Sequence, residues 1–490
     1  MARARDRGAL ALVLHSHMPY VEGFGTWPFG EEWLWEAVAT VYLPLLEVLE
    51  DAPVTVGLTP VLCDQLETLP GDAGERYRSF LRDVRTEVHI EDIAGLERTG
   101  ESELAAELRR AATDYARGDG AFEALGGDLV AALEHVAKGP AELWTSAATH
   151  PLLPLLATDA GLRLQLGAGI ASHLRRFGDW GGGFWLPECA YMEGLERELA
   201  DDGVKAFCVD QTDALGLGSL DQLEPVVTAA GPVAVPIDWA TVGLVWDDEH
   251  GYPSHADYRD YHHRTIHDLR PWSNGGGAYD RERALVRAHE HARDFVQRCV
   301  ARLDAYADER ERPGLLCAAI DTELLGHWWY EGQAWLGGVL DEAHAAGLEL
   351  VTLPDGLERV EPVERELAES SWGSPKDFST WDAPGVAELA FTARAAELRT
   401  LRAAARPEAH HDSHAPALER AARELLALQA SDWAFQATRE LAADYPVERV
   451  RRHEAAHDAA LAALRDSAPV PEPALRNLAP ALDLAPLIAP

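Results

Sequence analysis

Residues 181–188 read GGGFWLPE and residues 314–321 read GLLCAAID. Each is a short apolar run, bounded by glycine, that ends in a carboxylate. Strands of a parallel sheet have this form, because both faces are covered and the polar residue comes where the strand emerges. Similar runs occur at 9–17 (ALALVLHSH), 54–60 (VTVGLTP), 205–210 (KAFCVD) and 348–355 (LELVTLPD), with helical patterns between them. Strands alternating with helices predict an α/β barrel or an open parallel sheet. In a barrel, functional side chains sit where the strands end.

Outside these runs the pattern changes. Residues 73–135 are polar and amphipathic (ERYRSFLRDV, ESELAAELRRAATDYARG) and predict a helical insertion between early strands. From about 385 the chain again reads as helix, with a polar linker at 406–416 (RPEAHHDSHAP). After about 466 it is rich in Pro, Ala and Leu, predicting an extended and loosely packed tail. GAGIAS (167–172) resembles a glycine-rich nucleotide loop, but LRLQLGAGIASHLRRFG around it reads as one helix.

The 490 residues carry a formal net charge of −39, with only three lysines: Lys138, Lys205 and Lys376. Such a surface argues against nucleic acid or an anionic membrane as partner, since phosphate binding needs clustered cations. The cysteines are Cys63, Cys189, Cys208, Cys299 and Cys317, an odd number with no CxxC, which favours a reducing compartment. MARARDRGALALVL imitates a signal peptide but runs into HSHMPY without a cleavage site, so it reads as a first strand. A cytoplasmic location is expected. No apolar run approaches the roughly 20 residues of a membrane helix.

Glu188 and Asp321 close the two quoted strands, and aromatic residues flank both (Trp185, Tyr191; Trp328, Trp329, Tyr330). Either acid alone is equally well a helix cap. Two acids at one barrel mouth are what two-carboxylate glycoside chemistry requires. His15 and His17 form an HxH on one side of the first strand, where they can share a metal with His150 or Asp321, or donate to sugar hydroxyls. The first option is a metal-dependent hydrolase. Fifteen tryptophans, many beside polar residues, favour a carbohydrate groove as a group, although core packing explains any one of them.

Five segments carry a resemblance over residues 10–465: LHSHMPYV with GTWPFGEEWLWEA (14–37), GPAELWTSAATHPLLPLL (139–156), WLPECAY (185–191), AIDTELLGHWWYEG (319–332) and SSWGSPKDFSTW (370–381). In this order they resemble glycoside hydrolase family 57, and within it the 1,4-α-glucan branching enzymes of actinobacterial type. The resemblance implies an α/β fold, an incomplete (β/α)7 barrel with a helical insertion and an α-helical C-terminal domain. The catalytic part would span 1–360 and the helical domain 361–465, with 466–490 as a Pro/Ala-rich tail. It implies a retaining mechanism, with Glu188 as nucleophile and Asp321 as acid/base. His15, His17 and His150 would line the first sugar subsite, and Trp27, Trp372, Trp381, Asp432 and Trp433 would shape the glucan groove. No metal and no organic cofactor is expected. The partner is an α-glucan, and a monomer is favoured.

Residues 210–239 depart from the family pattern. Branching enzymes often carry a tyrosine-bearing loop there and a strand ending near Gly-Arg-Asp, whereas this stretch has neither Tyr nor Arg. A missing aromatic lid admits water to the covalent intermediate, and a missing arginine removes a charge partner. The alternative reading is therefore a hydrolase or 4-α-glucanotransferase using the same residues.

Overall fold

The computed structural model describes residues 6–247, 249–406, 415–470, 472 and 474–488. The linker expected at 406–416 falls mostly outside them. Among the described residues ten strands form one sheet: β1 (Gly8–Ser16), β2 (Thr55–Leu58), β3 (Glu142–Ser146), β4 (Gly183–Trp185), β5 (Ala206–Val209), β6 (Val226–Val227), β7 (Val233–Pro236), β8 (Gly314–Asp321), β9 (Glu349–Val351) and β10 (Val363–Glu364).

The sheet runs β10-β6-β7-β5-β4-β3-β2-β1-β8, with β9 on β1. From β7 to β8 every ladder is parallel, while β6 pairs antiparallel to β7. No ladder joins β7 to β8 among the described residues. A single backbone bond, Asp238 N to Cys317 O at 2.9 Å, bridges that gap. The curled, unclosed sheet is the incomplete barrel expected. β1 is its axis: Leu10, Ala11, Leu12, Val13 and Leu14 are all buried, as the continuous apolar run requires of a strand covered on both faces.

Between β2 and β3 the chain makes helices Asp72–Ser79, Arg85–Thr99, Ser102–Ala124 and Leu129–Val136. GAGIAS lies inside helix Asp159–Phe177, as read. A Cβ on Gly169 would stand 2.1 Å from Ser146 O, so glycine is needed there to seat the helix on β3.

The C-terminal helices Ala387–Ala404, Ala415–Leu428, Asp432–Thr438 and Tyr445–Asp466 enclose a second core around Leu418, Leu425 and Trp433. The expectation of a loosely packed tail is corrected. Leu475, Leu478 and Leu487 are buried in that core, and Asn477 Nδ2 and Ala479 N donate to Asp64 on the barrel. Apolar residues spaced along a proline-rich segment give it enough buried surface to order it.

Candidate active site

β4 ends at Trp185, and Pro187–Cys189 make one tight turn. Glu188 lies in the left-handed region there (φ 58°), as does His150 beyond β3 (φ 58°). Such backbone costs on the order of 1 kcal/mol per residue and persists where surrounding contacts enforce it. The contacts are present. Trp372 N donates to Glu188 O at 2.8 Å, and Tyr191 and Ser370 exchange backbone bonds of 2.9 and 3.0 Å. The loop at 370–372 thus fixes the Glu188 turn.

The Glu188 carboxylate accepts the Ser431 hydroxyl at 2.8 Å. Because that hydroxyl donates to Glu188, it accepts from His150 Nδ1 at 3.1 Å. His150 Nε2 is then bare and accepts from His15 Nε2 at 3.1 Å. The result is a donor chain, His15 to His150 to Ser431 to Glu188, which requires His150 neutral. Burial, followed by repulsion from neighbouring histidines, holds both well below the ordinary imidazole range. His15 also stacks on Trp185, with centroids 4.4 Å apart.

His17 behaves differently. Burial opposes its charge, but Asp432 lies 3.0 Å from Nε2, and the acids around it raise the imidazole overall. Its Nδ1 is 3.1 Å from the Thr59 hydroxyl.

Burial pushes Glu188 up to about 7, with Asp432 adding to the rise and the Ser431 bond and His17 opposing it. Asp321 ends β8, opposite His15 in register. Burial first, then the charges of Glu323 and Glu188, push it well above the ordinary carboxylate range. Glu323, two residues on, accepts Tyr42 Oη at 2.5 Å and His17 N at 3.1 Å, and burial pushes it up to about 7.

The structure therefore brings together Glu188, Asp321, His15, His17, His150 and Asp432. The tryptophans divide. Trp372 stands edge-on to Trp185 at 5.1 Å, and Trp27 is 68% exposed. Trp381 and Trp433 are corrected as direct groove residues. Trp433 is buried with Nε1 donating to Ala427 O, and Trp381 is buried against Leu152 and Ala190. Their rings support the segment that carries Ser431 and Asp432 instead of offering a face to a sugar.

Ser431, Glu323 and Tyr42 were not singled out by sequence. Glu323 could have been, as a second acid two residues beyond Asp321 at the same strand exit. Buried Asp238, at the end of the arginine-free stretch 210–239, finds its charge partner elsewhere in the chain. Arg302, on helix Arg281–Arg310, pairs with buried Asp238 at 2.6 Å and donates to the carbonyls of Gly218 and Ser219. Lys376 likewise pairs with buried Asp210 at 2.6 Å and sits 3.6 Å from the Trp239 ring centroid. Both pairs have one reason: a charge partner need only be near in space.

For a metal, His17, His150 and Asp432 each offer one ligand atom within 4.8 Å of one another, whereas His15 lies outside that group. Both His150 nitrogens are already engaged in the donor chain.

An incomplete parallel barrel with two burial-shifted carboxylates, three histidines and aromatic walls at its mouth defines a carbohydrate-active enzyme. The sequence matches the profile of glycosyl hydrolase family 57 over residues 11–235 and that of the 1,4-α-glucan branching enzyme C-terminal region over 392–488. The chain belongs to family 57, among its branching enzymes. It is 34% identical to a 1,4-α-glucan branching enzyme of Thermococcus kodakarensis, covering 91% of this chain and 72% of that one. It is 33% identical to a probable 1,4-α-glucan branching enzyme of Mycobacterium tuberculosis, covering 92% and 90%. The crystal structure of the family 57 branching enzyme of Pyrococcus horikoshii superposes with a TM-score of 0.89 at 29% identity, covering 99% and 97%. Among the described residues, no helix is long and apolar enough to cross a membrane.

Proposed function

We propose that the chain cuts α-1,4-glucan through a glucosyl ester on Glu188 and rejoins the cut chain as an α-1,6 branch. One observation carries the assignment of roles: burial raises both acids, but only Glu188 has neighbours that oppose the rise. Glu188 has a hydroxyl donor and the charged His17 ring to support its anion. Asp321 has burial and two neighbouring carboxylates, which all favour its protonated form.

In the first step a Glu188 oxygen attacks C1. The C1–O4 bond breaks with its electron pair on O4, and Asp321 donates its proton there. In the second, Asp321 takes the proton from the 6-hydroxyl of an acceptor chain as O6 attacks C1, and the ester bond returns its electrons to Glu188. Neutral His15, whose Nδ1 has no hydrogen-bond partner among the described residues, suits hydroxyl recognition at the reacting sugar, and Trp372 forms an aromatic wall.

Hydrolysis is the second reading, in which water replaces the acceptor. The loop at 210–239 offers no tyrosine lid, although Arg302 holds it in place.

The test of roles is kinetic. Glu188→Gln should bind maltooligosaccharide and not turn over. Asp321→Ala should cleave a glycosyl fluoride, whose fluoride leaves without an acid, and accumulate an ester detectable by mass on a Glu188 peptide. An ester on another residue would reject the assignment.

A further inference from the structure

Beyond the catalytic centre, the segment at 255–280 sets one aromatic ring against the loop that follows β8. The Tyr261 and Trp328 rings stack with centroids 4.8 Å apart and 26° between their planes. The Arg270 guanidinium lies 4.0 Å from the Tyr261 centroid and the Arg264 guanidinium 5.0 Å. Trp328 takes one face of the phenol ring, so Arg270 takes the other. Arg270 also donates to His327 O at 3.4 Å, and the His327 ring meets Trp328 edge-on at 5.8 Å. The pair is thus held on several sides, yet Trp328 remains 48% exposed and Ile266 nearby 88% exposed.

Holding a large ring in one orientation at the surface costs side-chain entropy and leaves apolar area in water. The Tyr261 hydroxyl has no hydrogen-bond partner among the described residues, and the exposed Arg264 and His262 stand beside it. The open indole face of Trp328 matches the apolar C–H face of a pyranose ring. The position suits the same ligand. Trp328 is seven residues beyond Asp321, and its backbone N donates to Glu323 O at 3.4 Å.

We propose that Tyr261 and Trp328 form a second glucan platform, which stacks one ring of a long α-1,4-glucan away from the cleavage point. This rests on the proposed function and extends it to the choice of long chains. The platform takes over chain-holding that the tyrosine-less loop at 210–239 cannot provide.

The experiment compares full-length wild type, Trp328→Ala and Trp328→Phe, each confirmed folded by its melting temperature. Dissociation constants are measured for long-chain amylose and for maltotetraose, a far shorter chain. Trp328→Ala should weaken amylose binding 5- to 10-fold and maltotetraose binding less than 2-fold, with Trp328→Phe recovering most of the loss. Unchanged amylose binding overturns the platform. So does an equal loss on both glucans, which would mean damage to the catalytic centre. So does a change in oligomeric state without a change in binding, which would make the patch a contact between copies. If wild type itself binds no glucan, it is the proposed function that fails.

Discussion

The Ser431 hydroxyl lies 2.8 Å from the Glu188 carboxylate, so a residue of the helical domain completes the barrel's active site. Ser431 N also donates to His150 O at 3.0 Å, and Pro151 pairs with Ala430, locking the two regions at this point. The barrel alone would leave Glu188 without its neutral donor.

Ser431→Ala should lower kcat on amylose by about 10-fold, the equivalent of roughly 1.4 kcal/mol, a usual worth for a hydrogen bond to a charged group. Removing the donor also raises Glu188 further, so the acidic limb of kcat/KM should move to higher pH. A lower rate with an unmoved limb would make Ser431 a packing residue only.

Burial sets the pH dependence of stability. Glu188 is raised to about 7 from an ordinary value near 4.5, so the folded state holds a proton that the unfolded chain has lost across that interval. The contribution of Glu188 to stability therefore falls as pH rises from about 4.5 to 7. Glu188→Gln removes this penalty. It should melt at a higher temperature than wild type at pH 8, by on the order of 1–3 kcal/mol, with little difference at pH 4. A variant no more stable than wild type at pH 8 contradicts the shift. The same group predicts kcat/KM falling below about pH 7, as Glu188 gains its proton.

Lys376 is pinned by Asp210 and donates to Trp372 O at 3.0 Å, and Trp372 N in turn holds the Glu188 turn. Lys376→Met should cost about 3 kcal/mol of stability by leaving Asp210 buried without its counter-charge. It should lower kcat more than it raises KM. Adding Asp210→Asn should restore the melting temperature while kcat stays low. If activity recovers together with stability, the pair serves only to hold the fold.

Chelation separates the sugar-binding and metal readings of the histidines. With His150 committed to His15 and Ser431, dialysis against EDTA should leave turnover on amylose within 2-fold. Loss of activity, restored by zinc and abolished in His17→Ala, would place a metal at His17, His150 and Asp432.

The parallel strands and their terminal acids were legible because burial on both faces writes an unbroken apolar run, and the first polar residue marks the strand's exit. Glu188, Asp321, His15 and His17 are all residues of this kind. Ser431 was not legible: a serine ahead of Asp432 and Trp433 carries no sign that its hydroxyl will meet an acid 243 residues away. Trp381 and Trp433 mislead for the opposite reason. Indole suits a sugar face and a domain core equally, and only the packing around Ala427 and Leu152 decides between them. Asp238 and Asp210 show the same limit for charge, since their partners Arg302 and Lys376 lie far along the chain.

The most direct test of the account is to incubate the protein with amylose and count reducing ends before and after a debranching enzyme that cuts only α-1,6 bonds. The account predicts few new ends beforehand and many after debranching, because each cut chain is passed to a 6-hydroxyl. Reducing ends that climb from the start, with none added by debranching, would contradict it and show water taking the acceptor's place.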